Sequence, residues 1–279
     1  MSASVFVDAS HRIRSGWWVL LFFLSLALFV FPMILVARHF ELEVSLWAQC
    51  VAILLASWVC QALRKRPLGE LFGTLDRSWL RQLTAGLGLG AAAMAVPALA
   101  LALGGWVHFE LQPIQVTAML GLCSVFIAGA IAEELLFRGF LFQRLTHGLG
   151  PFAAQLLISA YFVLTHASNP GMTGQTRIWA AVNIFVASLL FGLAQLKTRA
   201  LALPIGLHAG ANLTQGVLLG FGVSGEAHEG LLKPVLGGAP SWLTGASFGL
   251  EASLPGLLTV VVLTALMLAW KPSKTTLTS

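Results

Sequence analysis

Residues 132–140 read AEELLFRGF and close a long apolar run, so Glu133, Glu134 and Arg138 stand where charge is normally excluded. Successive helix side chains point about 100° apart, whereas side chains four apart share a face. Glu134 and Arg138 can therefore pair on one side of a helix. Glu133 is left aimed elsewhere, toward the interior of a bundle. A carboxylate without a cationic neighbour in a poorly solvated site is a stronger base than one in water, which suits it to take a proton from a water molecule. The plainer reading is a polar collar that snorkels to the membrane boundary and anchors the helix end.

Two further stretches weaken the plainer reading. SAYFVLTHASNP places His166 one turn after Phe162, inside large apolar residues, and LPIGLHAGANLTQG places His208 and Asn212 four apart, on one helix face. Burying Glu, His, His and Asn separately in apolar surroundings would cost about a few kcal/mol each, and much of that is recovered if they converge on one another and on water. Asn169, Asn183, Gln155, Gln195 and Gln215 read as interhelical hydrogen-bond partners. His39, His147 and His228 fall in loops and receive no role. Glycines in GLGLGAAAMA, residues 86–95, read as close helix packing, since a phosphate loop would need a preceding strand and a following Lys.

The elements that must position these groups follow from composition. The 279 residues are 57% hydrophobic and 10% charged, against roughly 25% charged in a soluble domain, so the chain reads as an integral membrane protein. A net charge of +5 reflects cytoplasmic loops rather than nucleic-acid binding. Cys50, Cys60 and Cys123 lie in apolar runs without metal-ligand spacing and read as small buried hydrophobes. Apolar runs predict about eight transmembrane helices, over 17–36, 44–63, 83–107, 114–137, 151–168, 176–196, 200–220 and 253–270. The first is read as a retained span because no small-residue cleavage site follows it. With both termini cytoplasmic, thirteen of the sixteen Lys and Arg, Arg12 and Lys274 among them, fall inside; only Arg38, Arg177 and Lys233 fall outside. The expected fold is thus an all-α polytopic bundle, one domain over 1–279, with catalytic core helices in 114–220 around a polar cavity. Residues 221–252, rich in Gly and Pro, read as a loop with re-entrant or interfacial parts. Depth raises a difficulty: His166 comes late in the fifth helix, so either that helix starts deeper than drawn or residues 144–152 re-enter the bilayer.

Taken in order, Glu-Glu-x-x-x-Arg (Glu133, Glu134, Arg138), Phe-x-x-x-His (Phe162, His166) and His-x-x-x-Asn (His208, Asn212) resemble the three motifs of the CAAX protease and bacteriocin-processing family. This is the Abi family of intramembrane endopeptidases, which includes the type II CAAX prenyl endopeptidases. The similarity covers residues 130 to 220. It implies Glu133 as the base that activates water, His166 holding that water, and His208 with Asn212 stabilising the oxyanion. Glu134 and Arg138 would support the site, with Phe162 beside His166. Glu133, His166 and His208 could also serve as three ligands of a catalytic zinc; a glutamate-activated water without obligatory metal is favoured, because base catalysis needs only the carboxylate. The implied partners are the bilayer and a peptide or protein substrate, prenylated or membrane-embedded; nucleic acid is not among them. Chain length and the lack of a targeting peptide suit a bacterial inner membrane, with an organelle membrane as the alternative. Competing classes are a proton-coupled or small-solute transporter using the same Glu and His residues, and a catalytically silent immunity or scaffold protein.

Overall fold

Each of the eight apolar runs folds as helix in the computed structural model, which describes residues 5–7, 13–113 and 115–271. Arg12 and Lys274, counted for orientation, lie outside the described residues. The elements are α1 (Ser15–His39), α2 (Leu46–Leu63), α3 (Arg77–Leu103), β1 (Val107–Leu111), α4 (Val116–Arg138), α5 (Phe140–Leu149), α6 (Pro151–Thr165), α7 (Gly174–Thr198), α8 (Ala202–Asn212), β2 (Leu232–Leu236), α9 (Ser241–Thr244) and α10 (Leu254–Ala269). Among the described residues, α1, α2, α3, α7 and the joined α4–α5 stretch are long and apolar enough to cross a membrane; α6 and α10 are apolar but shorter.

Local chemistry explains where the helices depart from their sequence-drawn limits. α3 starts six residues before the expected 83, because Asp76 caps it: Oδ1 accepts from the backbone N–H groups of Ser78 at 2.7 Å and Trp79 at 2.9 Å. It stops at Gly104–Gly105, where Gly105 has φ +72°, a conformation that favours glycine. The chain then enters β1, so residues 107 to 111 are strand, and the helix drawn to 107 ends early. β1 pairs antiparallel with β2, Val107 opposite Leu236 and Leu111 opposite Leu232. Among the described residues, which are mostly helical, this is the one sheet, and it fastens the 221–252 segment to the stretch that follows α3.

α5 resolves the depth difficulty. A chain bend at Gly139 separates α4 from α5, and a Cβ at Gly139 would collide with the Leu135 carbonyl oxygen. Ten further residues advance the chain by about 15 Å at 1.5 Å per residue, and Gly150 with Pro151 turns it back into α6. The fifth apolar helix thus starts beyond the end of α4. By Phe162 it has climbed back level with α4, where the Phe162 ring meets Phe137 edge-on at 4.8 Å.

α3 and α8 form the most extensive helix pair in the bundle, and glycines make it close. A Cβ on Gly86 would sit 2.8 Å from the Leu207 backbone nitrogen and 2.9 Å from the Gly206 Cα, and Cβ atoms on Gly90, Gly206 and Gly210 would run into the facing backbone. The packing reading of residues 86–95 therefore holds, and its counterpart is a second Gly-x-x-x-Gly pair, Gly206 and Gly210, unnoticed in the sequence. α8 ends at Asn212 and passes into a wider π-helical turn, Leu213–Leu218, a feature often found beside functional groups.

Candidate active site

Burial of Arg138 organises the site. Glu134 and Arg138 are both 0% exposed, and Nη1 meets Oε1 at 3.2 Å, one helical turn apart on α4. Nη2 donates to the Ser188 carbonyl at 3.1 Å and to its hydroxyl at 2.7 Å on α7, and the guanidinium stands over the rings of Phe162 at 4.8 Å and Phe191 at 5.3 Å. A buried charge needs such partners, because an unpaired one is far more costly than a paired one.

Glu134 also reaches α8. His208 Nδ1–H donates to Glu134 Oε1 at 2.9 Å, which turns Nε2 toward Glu133, whose Oε2 lies 3.8 Å away. That is beyond hydrogen-bond length yet within ion-pair range. Glu133 Oε2 is buried and has no hydrogen-bond partner, although the side chain as a whole is 34% exposed. The expectation that Glu133 lacks a cationic neighbour is corrected here: the His208 imidazole, a cation when protonated, faces it. Phe191 stacks on His208 with centroids 5.1 Å apart, so the ring is held on a face and at an edge.

His166 caps α6. Its Nδ1 lies 2.8 Å from the Phe162 carbonyl oxygen; only a protonated nitrogen can bond there, so Nε2 is left as the free ring position. His166, His208, Asn212 and Phe162 all line one pocket of about 50 Å³, room for a few waters. Glu133 does not line it; the carboxylate sits across the His208 ring, at its Nε2 edge. The Asn212 side-chain amide makes no hydrogen bond to any described residue. Among the described residues, no three His, Cys, Asp or Glu side chains converge as ligands of one ion, so the Glu133, His166, His208 set does not fit a zinc centre in this arrangement.

Three pocket residues were not singled out by spacing. Asn183 on α7 lines the pocket at 2% exposure, but its amide nitrogen has no partner; it makes none of the interhelical bonds expected of it. Ser224 and Glu251 come from the 221–252 segment. Glu251 Oε2 accepts from the Ser224 N–H at 2.9 Å and from its hydroxyl at 3.0 Å. Burial pushes the Glu251 carboxyl up, with the Ser224 bonds and the facing imidazoles of His166 and His208 opposing. A lone acid within the apolar run LEASLPGLL was the available signal.

Beside the pocket lies a larger apolar cleft of about 640 Å³ between α3, α7, α8 and α10; Leu190 and Leu207 form walls of both. Arg81, Ser78 and Gln82 stand at the α3 end of it.

Residues 114–214 match the family model described as type II CAAX prenyl endopeptidase Rce1-like. This stretch is Rce1-like. No curated protein matches the chain. The Rce1-like stretch runs from the start of α4 into the π-helical turn and contains Glu133, Glu134, Arg138, Phe162, His166, Asn183, His208 and Asn212, while Ser224 and Glu251 lie beyond it. With its run of apolar helices, the Rce1-like match supports an integral membrane protein and, in general terms, a CAAX-type intramembrane protease.

Proposed function

We propose that this chain is an intramembrane endopeptidase that hydrolyses a peptide bond in a lipidated or membrane-embedded substrate, with Glu133 activating the water. The observation that carries it is the fixed His208 ring: Nδ1–H is committed to Glu134 at 2.9 Å, and Nε2 is turned to the unpartnered Oε2 of Glu133 at 3.8 Å. Water bound at this edge gives a proton to Glu133, and its oxygen attacks the scissile carbonyl carbon. His166 Nε2, the ring position left free, accepts the second O–H of that water. The oxyanion is met by Nε2–H of His208 as imidazolium, flanked by Glu134 and Glu133, and by the unbonded Asn212 amide. When the C–N bond breaks, the proton on Glu133 passes to the leaving amine. An oxyanion donor held in place in a water-poor site contributes roughly 3–4 kcal/mol.

The apolar cleft sharing Leu190 and Leu207 with the pocket suits the hydrocarbon arm of a prenylated substrate, and the water nucleophile requires no metal. Both termini would lie on the cytoplasmic side, in a bacterial inner membrane. The test is cleavage of a prenylated CAAX reporter peptide by purified protein in nanodiscs, comparing wild type with Glu133→Gln and His208→Ala. Both variants should lose turnover by on the order of a hundredfold or more; unchanged turnover in both ends this reading.

A further inference from the structure

Besides His166, His208 and Asn212, the pocket is lined by two polar side chains, Asn183 and Glu251, whose hydrogen-bonding capacity is not fully used. Asn183 is 2% exposed; its side chain makes no hydrogen bond to any described residue, and its amide nitrogen is fully enclosed. Buried side-chain amides are nearly always bonded, so an orphan calls for a ligand or water. Glu251 spends only one oxygen: both bonds from Ser224 fall on Oε2, and Oε1 receives none. Among the described residues Glu251 forms no ion pair. The arrangement is built, because Ser224 holds φ +50°, where a serine is strained, while its N–H and hydroxyl both point at that carboxylate.

We propose that Asn183 and Glu251 grip the backbone of the substrate residue next to the scissile bond; this rests on the endopeptidase reading above. The chemistry selects the ligand. A hydrocarbon would leave both groups unmet, and a carboxylate or phosphate would be repelled by Glu251. One residue of an extended peptide presents its own C=O and N–H toward the same side, and so offers an acceptor to the Asn183 amide and a donor to Glu251 Oε1. The pocket also holds His166, His208 and Asn212, so the gripped residue must adjoin the carbonyl under attack. The consequence is that the substrate is read by its main chain here, in extended form, whatever side chains it carries.

The test uses the full chain in nanodiscs with a prenylated reporter peptide and ester analogues, in which the backbone N–H on either side of the scissile bond is replaced by oxygen, one at a time. Glu251→Ala and Asn183→Ala should each lower kcat/KM roughly tenfold, as for the loss of one buried hydrogen bond, chiefly through KM. One ester analogue should lower wild-type kcat/KM by a similar factor yet be cleaved by Glu251→Ala as well as the parent peptide is. Glu251→Gln, which keeps an acceptor oxygen, should restore most of the activity and still discriminate against that analogue. It serves the same comparison if Glu251→Ala does not fold. Active wild type with unaffected variants, or variants that lose activity equally on all analogues, overturns the grip while leaving the protease reading in place. Wild type that cleaves no peptide removes both.

Discussion

His208 on α8 and Glu134 on α4 are joined by a 2.9 Å hydrogen bond from Nδ1–H to Oε1, and Arg138 reaches the same oxygen at 3.2 Å. One carboxylate oxygen therefore settles both the charge of a buried arginine and the orientation of an imidazole. The residue assigned support by the motif resemblance is the one that aims His208.

Arg138→Met should destabilise the protein by about 3–5 kcal/mol, since it leaves the buried Glu134 without its arginine and with only the His208 bond. Thermal unfolding in detergent checks this. The double variant Glu134→Leu with Arg138→Met should regain much of the lost stability, because an apolar pair replaces a buried ionic one. It should nonetheless stay inactive, with His208 no longer aimed.

Glu133→Gln should separate chemistry from folding. Glu133 is 34% exposed and its nearest charged contact is 3.8 Å away, so its stability effect should stay within about 0.5 kcal/mol, as for substitutions outside a packed network. Turnover should fall by roughly 10²–10⁴, the usual worth of a general base. A melting temperature shifted as far as that of Arg138→Met would contradict this role.

Gly210→Ala should cost about 1–3 kcal/mol through overpacking, because its Cβ would meet the Leu87 carbonyl on α3. Gly16→Ala is the matched control, with nothing within 4 Å of the added carbon, and should be neutral or slightly stabilising. Comparing the two unfolding curves tests whether glycine is required for approach or merely tolerated.

Ala85→Trp puts an indole into the cleft that adjoins the pocket, from an exposed position on α3. If that cleft takes the lipid arm, KM for a prenylated peptide should rise by roughly tenfold, equivalent to losing about two buried methylenes. KM for the same peptide without its lipid should hardly change. Equal effects on both substrates would place the lipid elsewhere.

Dialysis of the purified protein against a chelator should leave reporter cleavage unchanged, since no step of the proposed hydrolysis uses a metal. Loss of activity restored by added zinc would require the ligands to gather in a way absent from this arrangement.

Helical positions of the apolar runs were legible in the sequence because hydropathy and helix length are local properties: eight runs, eight helical stretches. Pairing of Glu134 with Arg138 was legible for the same reason, as the helix repeat places residues four apart on one face. The family resemblance also lay in three short local motifs. Tertiary structure alone decided the rest. His166 becomes level with His208 only because α4 bends at Gly139 and α5 carries the chain past the end of α4 before α6 returns. Glu134 meets His208 only because four glycines let α3 and α8 approach, fixing where α8 sits. Ser224 and Glu251 reach the pocket because the segment holding them folds back, pinned near its middle by the β1–β2 pairing. Spacing along one helix follows from its covalent geometry, but contact between helices depends on how their surfaces dock, and no single stretch of chain contains that information.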